Sequence, residues 1–216
     1  MPVVAVFVLL AGSCKKDDYL TDTGVHDPVT PLSNYDYLAK NQLHQFDTLL
    51  QIIDRFDAKA EVNKAATFFA PTDYAILATI NKRLTEKQQV NPSATYTLDS
   101  LIMAINGDSL RQYMFNEEIT LQNAPEFQAK AYTSIGRTTN ATLKVLQTAT
   151  PYIDRTSAAT YLLYFVKVRG ALDIPGVTPP LNENDLQVLC QTTGIKTSNG
   201  ATTLHVLSNL HFFSTF

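Results

Sequence analysis

His205 and His211 lie six residues apart in the C-terminal run HVLSNLH. On a strand they share a parity, so two imidazoles could stand on one face and begin a zinc site. Tetrahedral zinc takes a third and a fourth ligand, and the local sequence offers neither. The plainer expectation is a hydrogen-bonded core histidine, with no metal and no cofactor. His26 and His44 are incidental. Glu117 and Glu118 could be half of a glycosidase carboxylate pair, but such a pair spans about 5 to 9 Å across a cleft, and adjacent residues point apart. They read as a solvated face. Tyr152, Tyr161, Tyr164 and Phe165 could stack on sugar rings; at strand spacing they are expected in the core. A glycine-rich phosphate loop, a G-x-S-x-G elbow, an H-E-x-x-H pair, a paired C-x-x-C and an EF-hand loop are all missing from the sequence.

The two cysteines carry different expectations. Residues 3–10 are almost wholly Val, Ala, Phe and Leu. That suits the apolar region of a secretory signal and falls short of the ~20 residues of a spanning helix. Small residues follow, and then Cys14: Leu10-Ala11-Gly12-Ser13-Cys14 resembles the bacterial lipobox, in which the cysteine becomes the acylated first residue of the mature chain. One departure is that no Lys or Arg precedes the apolar run. A single acyl chain binds a membrane marginally, at about 0.8 kcal/mol per buried CH₂, so a stable tether takes two or more. Lys15-Lys16-Asp17-Asp18 resembles the charged signal that sorts some lipoproteins to the outer face of the outer membrane. The resemblance implies a signal peptide over 1–13, a lipidated tether over 14–35, and an outer-membrane, surface-exposed domain over 36–216. Cys190 is then left without a partner and is expected to be a buried, inert thiol.

Composition agrees with one domain on a tether. The chain has 216 residues, 45% of them apolar, enough for a core once a leader is set aside. A net charge of −3 without a basic run argues against a nucleic-acid partner. Residues 19–34 are polar, carry Pro28 and Pro31, and show no period, so they read as linker. Leu43, Phe46, Leu49, Leu50, Ile53 and Phe56 form the stripe of a helix ending near Asp57. Thr67-Phe68-Phe69 predicts a strand stopped at Pro71, with Thr72 capping a helix through Ile76, Leu77 and Ile80. Further helices are expected over 98–105, behind a Thr97 cap, and over 109–115, separated by Gly107. Later, 141–147 alternates as a half-buried strand, and 160–168 is apolar on both parities, as in a strand covered on both faces. Residues 174–180 make a loop, and Ser198-Asn199-Gly200 between two β-rich runs predicts a hairpin. Helices first and strands later give the class α+β.

Two segments resemble the signatures of the fasciclin-like domain. FDTLLQIIDRFDAKAEVNKAATFFAPTDYAI, residues 46–76, looks like the first, with its helix and its Phe-Ala-Pro-Thr-Asp corner. KTSNGATTLHVLSNL, residues 196–210, is similar to the second, with its Asn-Gly turn and His-Val pair. The resemblance covers about 36–216. It implies a wedge of β-strands flanked by helices, and adhesion or ligand binding in place of catalysis. It also makes His205 structural. Many members carry a Tyr-His pair between the signatures, implicated in animal proteins in cell adhesion. Phe115 and Asn116 match it by position and are the candidate binding residues, but the change of both detaches the adhesive role. Residues 121–159, longer and richer in Thr than a minimal domain, are a second candidate surface. The expected partner is a protein or a polysaccharide; the alternative function is glycan capture for a starch-utilisation-like uptake system, and a hydrolase is a third.

Overall fold

A computed structural model describes residues 29–146 and 161–213. The Phe-rich run forms β1, Thr67–Ala70, whose four residues are all buried. Its neighbours are β2, Met114–Phe115, antiparallel, and β7, Thr202–Leu207, parallel. β7 pairs antiparallel with β6, Leu186–Thr197, through Ser198-Asn199-Gly200. Those three residues have φ of 52°, 56° and 92°, the left-handed backbone that the Asn-Gly signal predicts. β6 starts well before the expected Gly194, and its pairing with β7 slips twice between Cys190 and Ile195, with Gly194 at φ 74° in the irregular part. The sheet continues antiparallel through β5, Tyr161–Lys167, and β4, Thr139–Leu146, to β3, Lys130–Thr133. The order is β2-β1-β7-β6-β5-β4-β3. Its two ends approach each other: the Ile135 N–H donates to Met114 O at 2.8 Å and the Gly136 N–H to Arg111 O at 3.3 Å.

Helices α1, Asn34–Ala39, α2, Asp47–Arg55, and α3, Lys59–Lys64, precede the sheet; α4, Asp73–Val90, α5, Leu98–Ala104, and α6, Asp108–Arg111, lie between β1 and β2. The architecture is thus mixed α and β, helices concentrated in the first half and most strands in the second. Thr97 caps α5 as expected, in a reciprocal box with Ser100. α4 runs ten residues beyond Ile80, through polar helix formers with little apolar face to mark it.

Three expectations need correction. The helix over 109–115 stops at Arg111, because the next residues serve β1: Tyr113 O accepts the Phe69 N–H at 3.0 Å and Met114 and Phe115 pair with Phe68 and Thr67. The alternation expected from Ala141 is not seen over the described side chains of β4. Asn140 to Leu143 are all buried, Ala141 and Leu143 packing with Val166 in a second cluster beside Leu172 and Val168. Thr72 has the extended backbone of an N-cap, but its hydroxyl donates to Asn209 Oδ1 at 2.9 Å.

The neighbouring Asp73 does the capping, and for a different helix. Its carboxylate accepts from the Thr48 and Leu49 N–H groups at 3.0 Å, closing the open N-terminus of α2, while its own N–H donates to Gln45 O at 2.8 Å. The Phe-Ala-Pro-Thr-Asp corner therefore locks α2 onto α4. Asp73→Ala is expected to lower the unfolding free energy by about 2 kcal/mol, the upper end for a helix cap, with Asp73→Asn losing less; urea denaturation of both variants measures it.

The large buried rings gather in the main core. Phe69 meets Phe115 edge-on at 5.7 Å and Phe165 at 5.3 Å, and Tyr113 stacks on Phe213 at 5.8 Å. Cys190 is buried as expected, and burial pushes its thiol well above the ordinary range.

Candidate functional site

The parallel pairing of β1 with β7 brings the two signature-like segments together, with Phe69 opposite His205. The imidazole stacks on the Phe69 ring at 4.8 Å and 20°. Its Nδ1 accepts the Gly194 N–H at 3.2 Å, and its Nε2–H donates to Ile119 O at 2.9 Å. Both nitrogens are occupied, in the neutral form. Burial lowers the pKa to about 4, opposed by the bond to Ile119 and assisted by Lys196. The ring joins three pieces of chain and presents no surface.

His211 does not share a strand with it. β7 ends at Leu207, and His211 follows a turn, buried, its Nε2 hydrogen-bonded to the Tyr113 hydroxyl at 2.7 Å. Burial lowers its pKa to about 3. The one-face arrangement expected from parity is not formed, and among the described residues no group of three or more His, Cys, Asp or Glu converges as a metal would require.

Phe115 and Asn116 part company. Phe115 is 1% exposed and turned into the aromatic core, so it offers nothing to a partner, whereas Asn116 is exposed. Glu117 and Glu118 are exposed too; Glu118 pairs with Lys196, whose Nζ also donates to the Thr203 hydroxyl. They form no carboxylate cleft. Phe165 is fully buried, and Tyr161 and Tyr164 are partly buried on opposite parities of β5, so these rings make no flat platform. Tyr152 lies outside the described residues, as do Cys14, Lys15, Lys16, Asp17 and Asp18.

The chain joins the fold inside the stretch that reads as linker. Val29 bridges to Lys196, Thr30 N–H donates to Lys196 O at 2.7 Å, Asn199 N–H to Thr30 O at 3.0 Å and Ser198 N–H to Leu32 O at 2.7 Å. Buried Asn34 accepts from Thr197 Oγ1 at 2.6 Å. Entry is therefore at the hairpin turn. From there β1 and β7 run outward together, Thr67 beside Thr203 near the turn and Ala70 beside Val206 far from it.

Two of the cavities among the described residues lie away from the turn. One, of about 260 Å³, follows the Pro71–Asp73 corner and is walled by Leu43, Tyr74, Leu77, Ile80 and Leu98. Leu43 belongs to no helix and is exposed, although it reads as the first residue of the α2 stripe. Its polar lining includes Asp73, already engaged in capping α2. The other, of about 230 Å³, sits under the loop between β5 and β6, where β6 starts remote from the turn. Its acidic residues lie twelve positions apart, Asp173 and Asp185, and no sequence motif joins them. No family model matches the chain, and no curated protein matches it. No helix among the described residues is long and apolar enough to cross a membrane.

Proposed function

We propose that the chain is a lipoprotein of the outer membrane whose fasciclin-like domain, displayed at the cell surface, binds a partner without catalysis. The observation that carries the domain reading is the β1–β7 pairing: segments that resemble two family signatures more than a hundred residues apart are adjacent strands, with His205 stacked on Phe69. The non-catalytic reading is supported by what the best chemical groups do, since both C-terminal histidines are buried, neutral and engaged in structural hydrogen bonds. A fold shared by many binders does not name a ligand.

The tether reading rests on Cys14 behind Leu10-Ala11-Gly12-Ser13. The fifteen steps from Cys14 to Val29 reach at most about 50 Å, so a lipid at Cys14 would keep the hairpin end of the domain within that distance of the membrane. The test is made in the native host. Intact mass of the mature protein is expected to show a chain starting at Cys14 with two or three acyl groups, and protease added to whole cells is expected to remove the domain. An unacylated mass, or an intact protein until the cells are opened, would overturn the reading.

A further inference from the structure

At one place between β6 and β7 two residues face one. Thr192 lies opposite Val206 and Ile195 opposite Leu204, so Thr193 and Gly194 together stand opposite His205. Gly194 takes the left-handed backbone there, at φ 74°. The extra residue of a bulge has no ladder partner, and the Gly194 N–H goes instead to the imidazole across the pair, 3.2 Å from Nδ1. The side chain of His205 thus holds the bulge shut.

The two sides of that bond differ in their access to water. The imidazole is fully buried, stacked on Phe69, with its Nε2–H on Ile119 O. The bulge covers it from outside: Gln191 and Thr192 are exposed, and Thr193 and Gly194 are partly so. A methyl group placed on Gly194 would meet no atom within 4 Å, so the bulge has open space beside it.

A neutral imidazole fits this arrangement and an imidazolium does not. The cation is a donor at both nitrogens, so a proton on Nδ1 would set two N–H groups against each other. The surrounding charges offer it no relief. Lys196 on β6 opposes the cation, and Glu118, after β2, is paired with Lys196. β1 presents the Phe69 ring, β7 flanks the histidine with Leu204 and Val206, and no carboxylate among the described residues bonds to it. His211 has no such conflict at Nε2, because its partner there, the Tyr113 hydroxyl, can turn to accept.

We propose that His205 is an acid-released latch: a proton arriving at Nδ1 expels the Gly194 N–H and turns Thr193 and Gly194 outward, while the bond to Ile119 and the β1–β7 pairing stay. Water admitted by the open bulge then accepts from the new Nδ1–H. The event is local, one strand segment answering to acid within a folded domain, and it needs neither the tether nor a partner.

Hydrogen exchange of single amides in the full-length chain, followed by NMR and corrected for the pH dependence of the exchange chemistry, tests it. An opened imidazole regains the ordinary histidine pKa of about 6.5, so protection of the Gly194 amide is expected to fall about 25-fold from pH 7 to pH 5. At pH 5 it is expected to exchange at least about tenfold faster than the Phe69 amide, which is bonded to Tyr113 O and reports opening of the sheet. His205→Gln retains an acceptor and a donor but cannot titrate, and is expected to hold the Gly194 protection steady to within about twofold over that range. Equal protection of Gly194 and Phe69 at pH 5, an unchanged Gly194 protection, or the same fall in His205→Gln would overturn the proposal. Should His205→Gln not fold, the imidazole ¹⁵N shifts of the unaltered chain decide. Protonation of Nδ1 while the Phe69 amide stays protected supports the latch, and protonation only as that protection is lost overturns it.

Discussion

Phe69→Ala is expected to lower the unfolding free energy by about 3 to 5 kcal/mol, a large part of the stability of a domain this size. The ring is fully buried and touches Phe115, Phe165 and His205, so its loss opens a cavity where the parallel pair, β2 and β5 all meet. Phe69→Leu refills most of that volume and is expected to recover more than half of the loss. Equilibrium denaturation of both variants, compared at an unchanged slope, measures the difference. A loss below about 1 kcal/mol for the alanine variant would show that the aromatic cluster closes over the gap.

Acidification is expected to destabilise the domain steeply well above the range in which carboxylates titrate. His205 and His211 have folded-state pKa values lowered to about 4 and about 3, against about 6.5 for an unfolded histidine. Between those limits the unfolded chain binds protons that the folded chain refuses. Stability is therefore complete above about pH 6.5 and lost as pH falls from there toward 4, by up to about 2.7 kcal/mol per pH unit when both imidazoles contribute. Burial is the main cause for both imidazoles, and at His205 protonation would also place a hydrogen on Nδ1 where the Gly194 N–H already points. His205→Gln is expected to reduce the slope to about one proton, read from urea midpoints at pH 7, 6, 5 and 4.5. A flat wild-type profile over that range would contradict it.

Several elements were legible because one local signal outweighed its surroundings. The Asn-Gly turn, the Thr97 cap and the strand broken at Pro71 each stand where the residue types place them, and the α2 stripe finds the helix although it starts four residues late. What escaped had no local signal. β2 has two residues and exists because β1 offers it a backbone; the first half of β6 loses its period to the slips before Ile195; the outer half of α4 lacks an apolar face. The candidate sites follow the same division. Positional matching reaches Phe115 but cannot tell that its ring faces inward, and it passes over Asp173 and Asp185, whose reciprocal hydrogen bonds depend on a loop that brings them together.

The strap at Val29 to Leu32 also determines how the domain would behave under force. Under the proposed tethering, a load pulling on the chain before Val29 would enter through the backbone bonds of Thr30 and Leu32 to the hairpin, in front of the Asn34–Thr197 contact and of the buried strands. Those bonds can be stripped one after another, lengthening the leash by about 14 Å over four residues while the core stays closed. If the proposed tether is present, it would thus gain slack from this strap, and a pull would extend the attachment before it reached the sheet.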